Sequence, residues 1–235
     1  MRPFKKAVHA LGFDVIPYNL HTSPNVLLQT ILVNFNIGTV IDAGANEGQY
    51  ASQIIRYGYK GKIVSFEPVP AVYQVLKQQS DGNPNWTALN LGLGNKEEEL
   101  MINVSENLVS SSMYQVSSRS IEVEPTSRAT RQERIKLTTV DSFFEGAAID
   151  GEVLLKLDIQ GFELEALKGA LASLPRIRIV QAELSFVPLY ESAPLYSEVI
   201  AFLENQGFEI FTFIPAFVDD RTGRTLQSDG IFVRK

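Results

Sequence analysis

TVIDAG, residues 39–44, is an apolar run closed by a glycine, and ANEGQY, residues 45–50, leads from it into a helical period. A short apolar run without polar alternation reads as a strand covered on both faces. Tyr50, Ala51, Ile54 and Ile55 then fall on one helical face over residues 47–57, with Gly58 as the stop. The unit recurs along the chain. GKIVSFE (61–67) is a second strand, and PAVYQVLKQQ (70–79) a helix with Pro70 in its first turn and Ala71, Val72, Val75 and Leu76 on one face. WTALNLGL (86–93) reads as a third strand and EVLLKLD (152–158) as a fourth, ahead of a helix over 162–174 carrying Leu164, Leu167, Leu171 and Leu174. IRIVQAELS (177–185) is the fifth strand. A helix marked by Tyr196, Val199, Ile200 and Leu203 follows and stops at Gly207. FEIFTFI (208–214) and GIFVRK (230–235) close the chain, joined by a polar turn with Arg221, Gly223 and Arg224 and no helix.

Strands alternating with helices predict an α/β three-layer sandwich with a mostly parallel sheet, and the last two strands an antiparallel hairpin at one edge. No repeat or linker divides residues 1–235, so a single domain is expected. Residues 1–35 precede the first strand as an N-terminal helical extension, and homo-oligomerisation through them stays open. Residues 105–134 are rich in Ser, Thr and Arg and lack a period. A stretch of that length reads as a variable lid or acceptor loop, with a disordered insertion as the bland alternative.

The chain has 235 residues, 45% of them apolar and 20% charged, with a net charge of −6. That balance suits a globular core and argues against nucleic acid as a partner, because backbone binding needs a basic face. Cysteine is absent and only His9 and His21 supply imidazole. Thiolate chemistry is thereby excluded, and the chemistry must rest on Asp, Glu, Lys, Tyr or hydroxyls. The first twenty residues start basic but are interrupted by His9 and Asp14, unlike a signal peptide. No run approaches the ~18 apolar residues of a membrane helix. A cytoplasmic enzyme or binding domain with no membrane span is expected.

In an open α/β sheet, ligands bind beyond the carboxyl ends of the strands. After the first strand come Asp42, Gly44, Asn46 and Gly48. The glycines let backbone approach a ligand at a helix start. The spacing is not that of a dinucleotide loop, since Asn46 stands where a second glycine belongs and Asp42 would repel pyrophosphate. Asp42 suits an ammonium; an ordinary strand–helix turn is the competing explanation. Glu67 ends the second strand 19 residues after Gly48, close to the ~20-residue spacing at which an acid accepts ribose hydroxyls. The two signals together favour a nucleoside ligand without phosphate, such as S-adenosylmethionine. Asp158 ends the fourth strand, Glu163 lies one turn beyond, and Glu183 ends the fifth. These carboxylates could deprotonate an acceptor hydroxyl or hold a divalent cation. They also fit a helix cap, a first-turn glutamate and a polar strand end.

VIDAGANEGQY (40–50), SFEPVP (65–70), LLKLDIQGFELEALKGA (154–170), QAELSFVPLY (181–190) and TGRTLQSDGIFVR (222–234) together resemble the FkbM-type methyltransferases. The likeness is ordered, runs from about residue 24 to the end, and leaves out the interior of 113–134. It implies a Rossmann-like class I methyltransferase with a seven-stranded sheet, S-adenosylmethionine as donor, and O-methylation of a sugar, polysaccharide or other small metabolite. It implies that Asp42, Gly44, Asn46 and Gly48 hold the methionine part and Glu67 the ribose, with Pro68 shaping that turn. Leu91 and Gly92 are expected near the adenine, and Ser111 and Ser112 near the acceptor. Asp158 is expected at the reaction centre, with Glu183, Glu163 and Asp229 nearby. Metal dependence stays open, with Asp158 and Glu183 as the ligands if a cation binds.

Other candidates weigh less. His9 and His21 precede the core and read as solvated or capping residues. Trp86 reads as core, and Arg119, Arg128, Arg131 and Arg134 as a solvated face rather than an anion trap. The rival functions are an NAD(P)-dependent oxidoreductase, which the loop spacing disfavours, and a catalytically inactive nucleoside-binding module.

Overall fold

The computed structural model describes residues 2–235. Helices α1 (Arg2–Ala10) and α2 (Pro24–Asn34) precede β1 (Ile37–Ala43), and α3 (Gln49–Arg56), β2 (Lys62–Phe66), α4 (Pro70–Ser80) and β3 (Trp86–Leu89) follow. Strands β4 (Gly92–Leu93) and β5 (Glu98–Ser105), helix α5 (Ser118–Val123) and strand β6 (Ala129–Thr138) form an insertion. The second half runs α6 (Val140–Gly146), β7 (Glu152–Leu157), α7 (Glu163–Lys168), β8 (Ile177–Ser185), α8 (Tyr196–Asn205), β9 (Phe208–Asp219) and β10 (Arg224–Arg234).

The main sheet has seven strands in the order β3-β2-β1-β7-β8-β10-β9. Neighbours from β3 to β8 run parallel, and β10 is antiparallel to both β8 and β9. The reversed strand therefore lies one position in from the edge. Consecutive residues of the central strands serve opposite faces: Ile41 and Leu155 pack in one core, Val40 and Leu154 in the other. This is why TVIDAG and EVLLKLD read as unbroken apolar runs. Among the described residues no helix is long and apolar enough to cross a membrane.

Four elements differ from the sequence reading. WTALNLGL is two strands, because Asn90 turns the chain, its amide donating to the carbonyls of Glu67 (2.9 Å) and Pro68 (3.0 Å). Gly92 and Leu93 then join the smaller sheet, ordered β4-β6-β5. A Cβ on Gly92 would lie 2.6 Å from the end of the Leu137 side chain, which would have to shift to admit it. Residues 105–134 are not one loop: they include α5 and most of β6, which pairs antiparallel with β5. Their period was invisible because β6 is exposed over most of its first half. The helix expected over 162–174 ends at Lys168, where the Gly169 backbone packs on Gly94, a Cβ there falling 2.0 Å from the Gly94 carbonyl oxygen. Leu171, beyond that stop, is 48% exposed. The C-terminal hairpin is longer than read, because β9 continues through Pro215. An edge strand tolerates proline, which lacks only a donor facing outward.

Candidate functional site

A cavity of about 580 Å³ opens over the carboxyl ends of β1, β2, β7 and β8 and is walled on its far side by residues 107–111. Its floor begins with the turn after β1. Gly44 adopts φ +71°, and a Cβ there would fall 1.8 Å from the Asp158 carbonyl oxygen. Asn46 is also left-handed, at φ 49°. Every backbone N–H of this turn is used internally. Gly44 and Ala45 donate to the Phe66 carbonyl (3.0 Å each) and Gly48 to that of Ala45 (2.8 Å). Asn46 N–H donates to Glu67 Oε2 (3.0 Å), and Glu47 N–H to the Asn46 side chain (2.8 Å). A phosphate finds no free amide here.

Glu67 lines the cavity at the end of β2 and is 6% exposed. Its Oε1 accepts the Val69 N–H at 2.8 Å. Burial raises its pKa to about 7, against the pull of the Val69 and Asn46 N–H groups. Asp42 does not line the cavity. It is fully buried beneath it, its Oδ2 accepting from Ser65 Oγ (3.1 Å), which in turn accepts from Trp86 Nε1 (3.0 Å). The other carboxylate oxygen faces Lys156 Nζ at 3.2 Å. The expectation that Asp42 meets a ligand ammonium directly is thus corrected, since a lysine stands between it and the cavity. Gly48 is likewise a packing position, where a Cβ would meet the Trp86 ring at 2.8 Å. Pro68 and Gly92 line the cavity; Leu91 does not.

A network of carboxylates and amides spans the mouths of β7, β8 and β10. Lys156 and Asp158 lie two residues apart on β7 and its exit, so they share a face. Lys156 Nζ is 3.4 Å from Asp158 Oδ2. Burial works against this ammonium, but Asp158 and Asp42 outweigh it and hold its pKa above the usual range. Gln160, left-handed at φ 55°, donates to Asp158 Oδ1 (2.7 Å) and Glu183 Oε2 (3.0 Å). Tyr190 OH donates to Gln160 Oε1 (2.6 Å), which fixes the amide with its NH₂ toward the carboxylates. Gln227 gives Glu183 Oε2 a second bond at 2.7 Å. Glu183 faces Asp229 across the β8–β10 register. Burial first, then Asp158, pushes Glu183 well above the usual carboxylate range, and the same causes take Asp229 to about 6.

The structure thus brings Glu67, Asp158, Glu183 and Asp229 to one cavity. Besides Asp42, Gly48 and Leu91, it leaves two more expected residues outside it. Glu163 is 3% exposed, and its Oε1 accepts the N–H groups of Ile159 (2.9 Å) and Gly161 (3.2 Å), clamping the turn behind Asp158. Ser112 is 1% exposed and donates to the Gln160 carbonyl at 2.6 Å; only Ser111 of the pair lines the cavity. The divalent-cation reading fits poorly, because Asp158 and Glu183 already face amide and ammonium donors. Among the described residues no group of three or more His, Asp or Glu side chains could hold a metal ion. His9 reaches the exposed Asp14 (2.8 Å), Trp86 is core, and none of the four arginines lines the cavity. Sequence reasoning missed Lys156, Gln160, Gln181, Tyr190 and Gln227. A charged residue inside the apolar run LLKLD was a signal for Lys156; nothing marked the glutamines.

A mostly parallel seven-stranded sheet with one reversed strand, a tight loop after β1 and an acid after β2 define an α/β domain whose cavity opens over the carboxyl ends of its strands. The methyltransferase FkbM domain model matches residues 42–210, and the chain belongs to that family. Methyltransferase sdnD of Sordaria araneosa is 28% identical to it over 73% of each chain. Among solved structures, an FkbM methyltransferase from Methylobacillus flagellatus KT has a TM-score of 0.49 at 14% identity, covering 84% of this chain. This chain spans 44% of that one. A magnesium protoporphyrin IX methyltransferase from Synechocystis PCC 6803, with bound SAM, has a TM-score of 0.49 at 12% identity, covering 99% of this chain and 91% of its own.

Proposed function

We propose that the chain takes S-adenosylmethionine as methyl donor and O-methylates a hydroxyl of a sugar, polysaccharide or other small metabolite. The observation that carries the donor assignment is the closed turn after β1. All five amides from Gly44 to Gly48 are satisfied internally, so the site offers nothing to a pyrophosphate, while Glu67 stands beside it to accept ribose hydroxyls. This disfavours the NAD(P) reading. When bound, the donor supplies a methyl group already activated by its sulfonium.

The chain's own groups do the rest. Glu67 holds the ribose, and the Gly44–Asn46 backbone forms the floor. Asp158, with 37% of its side chain exposed, is the carboxylate that faces an acceptor. Gln160 and Lys156 hold it in one orientation, where it orients the acceptor hydroxyl and takes its proton; a base so placed is worth ~10²–10⁴ in rate. Glu183, pushed up by burial and by Asp158, lies beside it and is held by the Gln160 and Gln227 amides. Ser110, Ser111, Leu189, Tyr190 and Phe217 wall the acceptor half, a mixture of hydroxyl and apolar surface that suits a hydroxylated small molecule. The insertion supplies the two serines of that wall, in the role of lid or acceptor loop, and the segment after β8 and strand β9 supply the rest. Transfer of labelled methyl from S-adenosylmethionine to a panel of sugars and polyols tests the reading. Asp158→Asn should lose at least 100-fold in turnover with S-adenosylhomocysteine binding intact; full turnover in that variant refutes the role. EDTA should leave the rate unchanged.

A further inference from the structure

Among the described residues Lys156 is the one basic side chain on a cavity wall that also carries Glu67, Glu124, Asp158, Glu183 and Asp229. Only 8% of it is exposed. A lysine is seldom buried without a partner, and a partner is present: Asp42, with no exposure at all, stands 3.2 Å below the ammonium. The rest of its surroundings are looser. Asp158 Oδ2 and the Gly44 carbonyl oxygen are each 3.4 Å from Nζ, and the Tyr50 ring lies 5.4 Å away. Charge-assisted bonds from an ammonium normally measure about 2.7–2.9 Å. By that measure all three contacts are long, including the one to Asp42, whose Oδ1 makes no hydrogen bond, so the ammonium has bonding capacity to spare toward the cavity it lines.

The donor of the proposed reaction is a zwitterion at its amino-acid end, and its carboxylate needs a cation or free amides. The turn after β1 has none of its amides to give. We propose that Lys156 is the anion-binding residue of the donor site: its ammonium takes the carboxylate of the amino-acid part, and Asp42 is the positioning residue that pins it from below. This rests on the donor reading above. The placement agrees with the sheet. Lys156 is on β7, two strands from the β2 end that carries Glu67, with β1 between them. At about 4.8 Å per strand the two anchors are roughly 10 Å apart, a span suited to ribose hydroxyls at one end and an amino-acid carboxylate at the other. The assignment reverses the one expected from the sequence, in which Asp42 itself met the ligand: the motif acid acts through a lysine and the site binds the anionic rather than the cationic end at this point.

Calorimetric binding of two ligands separates the claims. S-adenosylhomocysteine carries the amino-acid end; 5′-methylthioadenosine shares the nucleoside and lacks it. In the double variant Asp42→Asn/Lys156→Met, which removes both buried charges and leaves neither orphaned, affinity for S-adenosylhomocysteine should fall at least tenfold, with 5′-methylthioadenosine changed less than twofold. Lys156→Arg, which keeps the charge, should retain most of the S-adenosylhomocysteine affinity. A parallel loss of both ligands, or no loss of either in the double variant, overturns the inference while leaving the donor reading standing. A wild-type protein that binds neither ligand overturns the donor reading and the inference with it.

Discussion

Glu163→Gln should make the protein more stable at pH 8 and leave it unchanged at pH 4. Glu163 is 3% exposed, and burial raises its pKa from an ordinary value near 4.5 to about 7. Such a group contributes stability that is fully present below about pH 4.5, where folded and unfolded chains both carry the proton. The contribution is lost as pH rises through about 7, because the folded chain must then hold a buried charge. At about 1.4 kcal/mol per pH unit of displacement, the wild type forfeits about 3 kcal/mol above pH 7. Both N–H groups that the turn gives to Glu163 go to the same oxygen, Oε1. A glutamine carbonyl can therefore accept both, and the clamp survives without its charge. For a chain of this length about 3 kcal/mol is roughly 9 °C in Tm. Urea unfolding at pH 4 and pH 8 measures the difference directly. A variant less stable than the wild type at pH 8 would refute the reasoning, since it would mean that the carboxylate is stabilised by its site rather than burdened by it.

Gly44→Ala should cost at least about 2 kcal/mol, because the turn is left-handed and the Asp158 carbonyl already fills the Cβ position at 1.8 Å; denaturant unfolding checks it. Tyr190→Phe removes the hydroxyl that fixes Gln160 at 2.6 Å, and turnover should fall about tenfold with the S-adenosylhomocysteine Kd unchanged. A Kd that moves with the rate would place Tyr190 in the donor site instead. Burial pushes Glu67 up to about 7, and in the proposed role it would accept ribose hydroxyls best as the carboxylate, so S-adenosylhomocysteine binding should tighten as pH rises from 6 to 8. Glu67→Gln should flatten that profile.

How far the sequence carried can be judged from particular residues. The central strands were readable because parallel strands covered on both faces leave no alternation to confuse: β8 matches the segment 177–185 residue for residue. Their carboxyl ends were readable for the same reason, which is how Glu67, Asp158 and Glu183 were found. What lay hidden depended on contacts between distant segments. The split of WTALNLGL rests on Asn90 reaching back to β2, and the early end of α7 on Gly169 meeting Gly94, neither of which is a local preference. The same holds in the site. Asp42 looked like a ligand contact because nothing in TVIDAG shows that Lys156 of another strand covers it. Gln160 drew no reading from the sequence, yet its side chain joins Asp158, Glu183 and Tyr190.

The central claim is that the cavity is a donor site for a phosphate-free nucleoside. Calorimetric titration with S-adenosylhomocysteine, with NADH as the parallel ligand and Glu67→Ala as the control, tests it most directly. Micromolar binding of S-adenosylhomocysteine that disappears in the variant, with no NADH uptake, is the predicted result. Tighter binding of NADH, or S-adenosylhomocysteine binding indifferent to Glu67, would contradict it.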